Sequence, residues 1–232
     1  RSRKSAISAA ELTSSKAFTA LSDLAAASDI IIVSTPDGAI AEVWEELRKC
    51  DIRDRIVCHL SGSLSSDIFD GIAAKSSFGY SVHPMFAFSG KDGYFEGVEK
   101  ACFTLEGAKE KLGEVREIFI RTGNRIFVID KSKKALYHAS NVMVSNLVTA
   151  LLSIGTESFE KCGVKKEEAI EALLPLIRGN IENIAKKGFP GSLTGPVERN
   201  DTDTIMKHLD VMEEDERLIY SLLTKKLAKL SK

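Results

Sequence analysis

The sequence predicts an α/β domain built on a doubly wound, mostly parallel sheet, followed by an all-α domain. Three observations predict it. Short β-branched runs alternate with helical segments as far as residue 130. Those runs are apolar at successive positions, as strands buried on both faces are. From Ser132 to Cys162 there is no proline and no strand signal, and Leu136, Val144, Leu147, Leu151 and Ile154 recur at helical spacing. The change of pattern divides the chain into domains 1–130 and 131–232.

The elements follow in order. Ser5 to Leu12 and the segment from Leu21 have helical composition. Asp29 to Val33 reads as a buried strand ending in the turn-rich Ser34-Thr35-Pro36-Asp37-Gly38, with a helix from about Ile40 to Lys49. Arg55 to Leu60 is a second strand and Gly79 to Val82 a third, with a short helix near Asp67 to Ala74 between them. His83-Pro84-Met85 is expected just past the third strand. Ala101 to Leu105 and Arg125 to Ile129 are strands flanking a helix from Ala108 to Arg121. One long helix is expected from Ser132 to Cys162, a second from Lys165 to Lys187 that ends at Gly188, and two shorter ones after the loop 189–203.

Composition excludes several function classes. A formal net charge of -1 gives no electrostatic case for a nucleic-acid partner. Cys50, Cys58, Cys102 and Cys162 lie far apart, without metal-ligand spacing to the histidines, so reduced thiols and no metal are expected. No unbroken apolar run approaches the ~20 residues that span a bilayer, so a cytoplasmic protein without a membrane partner is expected. The chain opens at Arg1 on Arg-Ser-Arg-Lys, which reads as a break inside a fold. Roughly 25–45 further N-terminal residues, the size of a first βαβ unit, are expected before it.

Ligands of parallel α/β sheets sit at the carboxyl ends of the strands. Thr35, Pro36 and Asp37 end the first strand there, where a nicotinamide or its ribose packs; a plain βα turn is the competing reading. Ser61 and Gly62 end the second and offer a hydroxyl and close backbone approach, while Ser63 and Ser65 read as caps. His83 is a candidate proton exchanger, because histidine ordinarily titrates near neutrality. Lys134 and His138 share a helix face, with Asn141 on the same side and Asn146 further along. Lys131 and Lys133 read as a solvated face. Thr194 and Arg199 are candidate substrate contacts, Arg199 as a clamp on a carboxylate or phosphate, whereas Asp201 reads as a helix cap. Arg1 and Ser2 would follow the second strand of a complete dinucleotide fold, where an arginine accommodates the 2′-phosphate of NADP in preference to NAD.

Ser34-Thr-Pro-Asp-Gly-Ala-Ile40, His59-Leu-Ser-Gly62, His83-Pro-Met85, Tyr137-His138 with Ser145-Asn146, Leu193-Thr-Gly-Pro196 through Arg199 and Asp201, and His208-Leu209 together resemble a family of Rossmann-like proteins. Its C-terminal helical half is called a domain of unknown function. The family is similar to pyrroline-5-carboxylate reductase, the β-hydroxyacid dehydrogenases and prephenate dehydrogenase. The resemblance implies an NADP-dependent oxidoreductase acting on a small polar substrate, a hydroxy acid or an imine, with His83 and Lys134 at catalytic positions; His138 is a further catalytic candidate from the helix face that it shares with Lys134. A non-catalytic dinucleotide-binding or regulatory protein is the alternative. Position 138, four after Lys134, is histidine where the β-hydroxyacid dehydrogenase pattern has asparagine. The relatives begin with a strand and a glycine-rich phosphate turn, which precedes nothing in this sequence. A homodimer through the helical domain is expected, since one long apolar helix needs more cover than that domain supplies.

Overall fold

A computed structural model describes residues 3–88 and 97–230. Arg1 and Ser2 lie outside the described residues. The chain divides into two compact units, residues 1–145 and 146–232.

The first unit carries α1 (Arg3–Leu12), α2 (Leu21–Ala26), β1 (Ile30–Val33), α3 (Asp37–Leu47), β2 (Ile56–His59), β3 (Phe78–Met85), β4 (Cys102–Gly107), α4 (Leu112–Arg121), β5 (Arg125–Val128) and α5 (Lys134–Val144). The five strands form one sheet in the order β1-β2-β3-β4-β5. β1, β2 and β3 are mutually parallel, β4 runs antiparallel to β3, and β5 is parallel to β4. The sheet is therefore mostly parallel and Rossmann-like.

Both faces are covered, which is why the strand sequences lack alternation. On one face Ile31, Val33 and Val57 pack with Ile40, Trp44 and Leu47 of α3 and with Phe69. On the other, Ile56, Cys58, Tyr80, Val82 and Leu105 pack with Val115 of α4. The Trp44 indole donates to the Asp70 carbonyl at 3.0 Å, so its one polar atom is satisfied.

Two sequence expectations change here. β3 runs through to Met85, so His83 lies inside the strand, paired with Thr104 of β4. Proline fits at Pro84 because a strand end leaves its missing donor unneeded. The helix expected near Asp67 to Ala74 is two short 3₁₀ turns, Ser66–Ile68 and Ile72–Lys75, with Gly71 between them at φ 73°.

The second unit carries α6 (Asn146–Lys161), α7 (Lys166–Gly191), α8 (Thr202–Asp210) and α9 (Glu214–Leu230). The helix expected from Ser132 to Cys162 is broken at Ser145, whose φ of -121° and ψ of -83° are not helical. Regular geometry in α7 stops at Gly188 (φ 69°), a conformation that glycine adopts without steric cost. By length and composition, residues 131–161 suffice to cross a membrane, since an 18-residue window within them has a mean hydropathy of 1.3. Counting only unbroken apolar residues overlooked that stretch, because its Ser, Thr and Asn residues interrupt the run without lowering the mean much. The break at Ser145 and the buried lysine at its start argue against a continuous span.

Candidate functional site

One face of the sheet changes character toward the carboxyl ends of β1–β3. Register places His59 beside Ser81 and Ser81 beside Glu106; one step on, His83 pairs with Thr104. Cross-strand partners share a face. A polar row thus continues the apolar face built by Ile31, Val33 and Val57. His59, Ser81, Thr104 and Glu106 are all buried, and buried polar groups demand partners.

Those partners come from two loops and from α5. The 3₁₀ turn Lys131–Lys133 is capped by Asp130, whose carboxylate accepts from the Ser132 amide at 2.8 Å, and it delivers α5 to the sheet. Lys134 is only 3% exposed, and its Nζ donates to Ser81 Oγ at 2.6 Å. Its ammonium also lies 5.4 Å from the Tyr137 ring centroid, one turn along the helix. The Tyr137 hydroxyl is 2.7 Å from His83 Nδ1. Lys131, by contrast, is exposed and paired with Asp67, as a solvated face should be.

His83 and His138 meet, with ring centroids 6.3 Å apart and planes at 84°. Gly62 makes the meeting possible. A Cβ there would stand 2.6 Å from His138 Nδ1 and 2.8 Å from His83 Nε2. Both ring nitrogens therefore converge on the backbone of the loop after β2. Among the described residues His138 Nδ1 and Thr104 Oγ1 are buried without a hydrogen-bond partner, which marks them as places where a ligand's polar atoms would be satisfied.

The loop after β2 is braced from below. The Ser61 amide donates to His59 Nδ1 at 3.2 Å, which leaves Nε2–H to donate to the Ser65 carbonyl at 3.1 Å. Ser61 Oγ donates to the Asp37 carboxylate at 2.7 Å and accepts from the amides of Ser63 and Leu64. Ser63 Oγ donates to the same carboxylate at 3.0 Å. The Ser61 hydroxyl and the Asp37 carboxylate thus shape the loop. Thr35 and Pro36 are exposed at the end of β1.

The surroundings of His83 disfavour its charged form. Burial, helped by the Lys134 charge and by His138, pushes its pKa down to about 4, with Asp37 opposing. The ring is neutral at pH 7 and does not supply a proton as an imidazolium. Burial also lowers Lys134, against the pull of Glu106 and Asp37, and lowers His59. The site sets a buried amine beside the imidazoles of His59 and His83, whose charged forms burial disfavours.

Asn141 donates to the Tyr137 carbonyl of its own helix at 3.2 Å. In the second unit Asn146 begins α6, while Thr194 and Arg199 are exposed. Asp201 caps α8, accepting from the Thr204 amide at 3.0 Å. The first unit therefore gathers His83, His138, Lys134, Ser61 and Gly62. Sequence reasoning missed Glu106, Ser81, His59 and the Tyr137 contact. One signal was available: Thr104 and Glu106 are polar at alternate positions of an otherwise apolar strand.

Residues 101–227, more than half of the chain, match the family described as Domain of unknown function (DUF2520). The chain belongs to the DUF2520 family. Residues 2–84 match the Rossmann-like domain. No curated protein matches the sequence. Protein TM1727 from Thermotoga maritima is 28% identical with a TM-score of 0.82, covering 100% of this chain and 88% of its own. Protein BF3122 from Bacteroides fragilis is 21% identical (TM-score 0.74), covering 99% and 86%. Pyrroline carboxylate reductase from Plasmodium falciparum, solved with NADP bound, is 15% identical (TM-score 0.62), covering 93% and 82%. At these lower identities the likeness is one of fold.

Proposed function

We propose that this DUF2520 protein is an NADP-dependent oxidoreductase that reduces the carbonyl of a small polar substrate or oxidises the matching hydroxy acid. The observation that carries the reading is the convergence of His83 Nε2 and the unpartnered His138 Nδ1 over Gly62, on the rim where this fold holds nicotinamide. Thr35, Pro36 and Gly62 would hold the nicotinamide end, and the cofactor would supply hydride. Arg1 and Ser2 are assigned to the 2′-phosphate, which favours NADP over NAD.

The chain's own residues manage the proton and the orientation. With Tyr137 as the donor in its 2.7 Å contact with His83 Nδ1, the single ring proton would sit on Nε2, facing the substrate oxygen. His138 Nδ1 meets a second polar atom of the substrate. Lys134 is assigned as the acid, because it is the buried amine of the site and its Nζ donates to Ser81 Oγ. A positively charged iminium is disfavoured beside that ammonium, so within the hydroxy-acid and imine classes the carbonyl side is preferred. Asn141, Asn146, Thr194 and Arg199 remain candidate substrate contacts.

The test is loss of nicotinamide absorbance with NADPH or NADH against a panel of 2-oxoacids and cyclic imines. Turnover of an oxoacid with NADPH is expected. His83→Ala and His138→Ala should each lower it at least ~100-fold. Binding without turnover across the panel favours a non-catalytic dinucleotide sensor, and preference for NADH removes the role of Arg1.

The helical unit pairs with a second copy in this reading. Among its described residues only Thr156 and Ala169 are buried, while Leu176, Ile181, Val211 and Leu218 are each at least 60% exposed. A unit with so small a core needs cover, and closed homo-oligomers are the commonest source of it. A cytoplasmic location suits the four free cysteines.

A further inference from the structure

Glu106 is a buried acid that the proposed reaction does not use. It is 2% exposed. Its carboxylate accepts from the Ser66 amide at 2.8 Å and from Ser66 Oγ at 2.7 Å, which ties the turn Ser66–Ile68 to β4. Both donors are neutral, so they satisfy lone pairs but leave the charge uncompensated. Of the two cations near it, Lys131 is exposed and paired with Asp67, and the buried one is one residue pair away. Glu106 stands opposite Ser81 in the β3–β4 register, and Ser81 Oγ receives the Lys134 ammonium. Directly opposed side chains in an antiparallel pair have Cβ atoms ~5 Å apart, which puts the two charges within strong coupling range inside the protein.

We propose that Glu106 is a positioning residue, the buried counter-charge that holds Lys134 as an ammonium against β3. The inference rests on the reading of Lys134 as the acid of the site. The other groups acting on Lys134 are Asp37 on α3, His59 on β2, His83 on β3, and Tyr137 on its own helix. Asp37 is exposed and engaged by Ser61 and Ser63, so its influence is the more diluted by solvent. His59 and His83 are neutral at pH 7 and offer no negative charge. Among the described residues, Glu106 is the buried carboxyl group on the Lys134 side of the sheet.

The experiment is an NMR titration of the Lys134 ε-methylene in the full chain, for the native protein and for Glu106→Gln. Glutamine keeps the shape and can still bond Ser66. The midpoint is expected to fall by about one pH unit, which is a tenfold loss of ammonium above it. In the native protein the Glu106 carboxyl carbon should also shift as Lys134 loses its proton, a readout that survives if the variant fails to fold. An unmoved Lys134 midpoint, or a Glu106 carbon blind to that titration, overturns the proposal. Neither measurement needs a substrate. A moved midpoint in a protein that turns over nothing leaves the pairing standing and removes the enzymatic reading instead.

Discussion

His83 carries its proton preference as a consequence of where β3 puts it. The ring is half-buried and faces a buried ammonium, so its charged form is penalised until about pH 4, whereas the unfolded chain titrates near the ordinary 6.5. Between those values the unfolded state binds the extra proton. Stability is therefore intact above 6.5 and falls as the pH drops toward 4. After allowance for solvent around a half-buried ring, the loss is about 1–2 kcal/mol. Denaturant melts at pH 7 and pH 4 measure it, and His83→Gln should flatten that part of the difference. Lys134 has the same sign: its lowered pKa means that folding becomes easier as pH rises from that value toward 10.5, while reduction that needs its proton slows over the same range. Gly62 is the third residue-scale prediction. Gly62→Ala should displace both imidazoles and lower turnover at least ~100-fold, with a melting temperature reduced by only a few degrees. Native imidazole shifts in that variant contradict the clearance argument.

At the scale of elements, packing at the end of β4 leaves no room for a side chain. The β3–β4 pair ends at Tyr80 and Gly107, and Gly107 has φ 150°. A Cβ there would meet the Gly79 carbonyl oxygen and backbone of Tyr80, atoms that cannot swing aside. Gly107→Ala should cost about 2–4 kcal/mol, by chemical denaturation, and Gly38→Ala, where the added Cβ meets nothing within 4 Å, well under 1 kcal/mol. The strands were legible because each is a short β-branched run bounded by turn residues. The length of β3 was not: Pro84 reads as a stop in sequence, whereas pairing with Phe103 carries the strand past it. The break at Ser145 was hidden for a related reason. Local composition favours helix on both sides of it, and nothing in a helical period marks one residue of altered φ and ψ.

For the whole molecule, the two-part architecture was readable from the switch between strand–helix alternation and pure helical spacing. The partners inside the site were not, because His59, Ser81, His83, Thr104 and Glu106 become neighbours only through sheet register. Periodicity places a side chain on a face; it does not say which polar atoms will be left over there. The exposed apolar helices lead to a prediction of their own scale. Sedimentation at micromolar concentration should give twice the 25.3 kDa of the chain, and Leu176→Glu with Ile181→Glu should give a monomer. A native monomer at that concentration contradicts the proposed pairing. The central claim concerns the imidazoles over Gly62. Its most direct test is the NMR response of His83 and His138 to added NADPH. Saturable shifts of both rings are predicted; rings that do not respond, while NADPH fluorescence reports binding, would contradict the site.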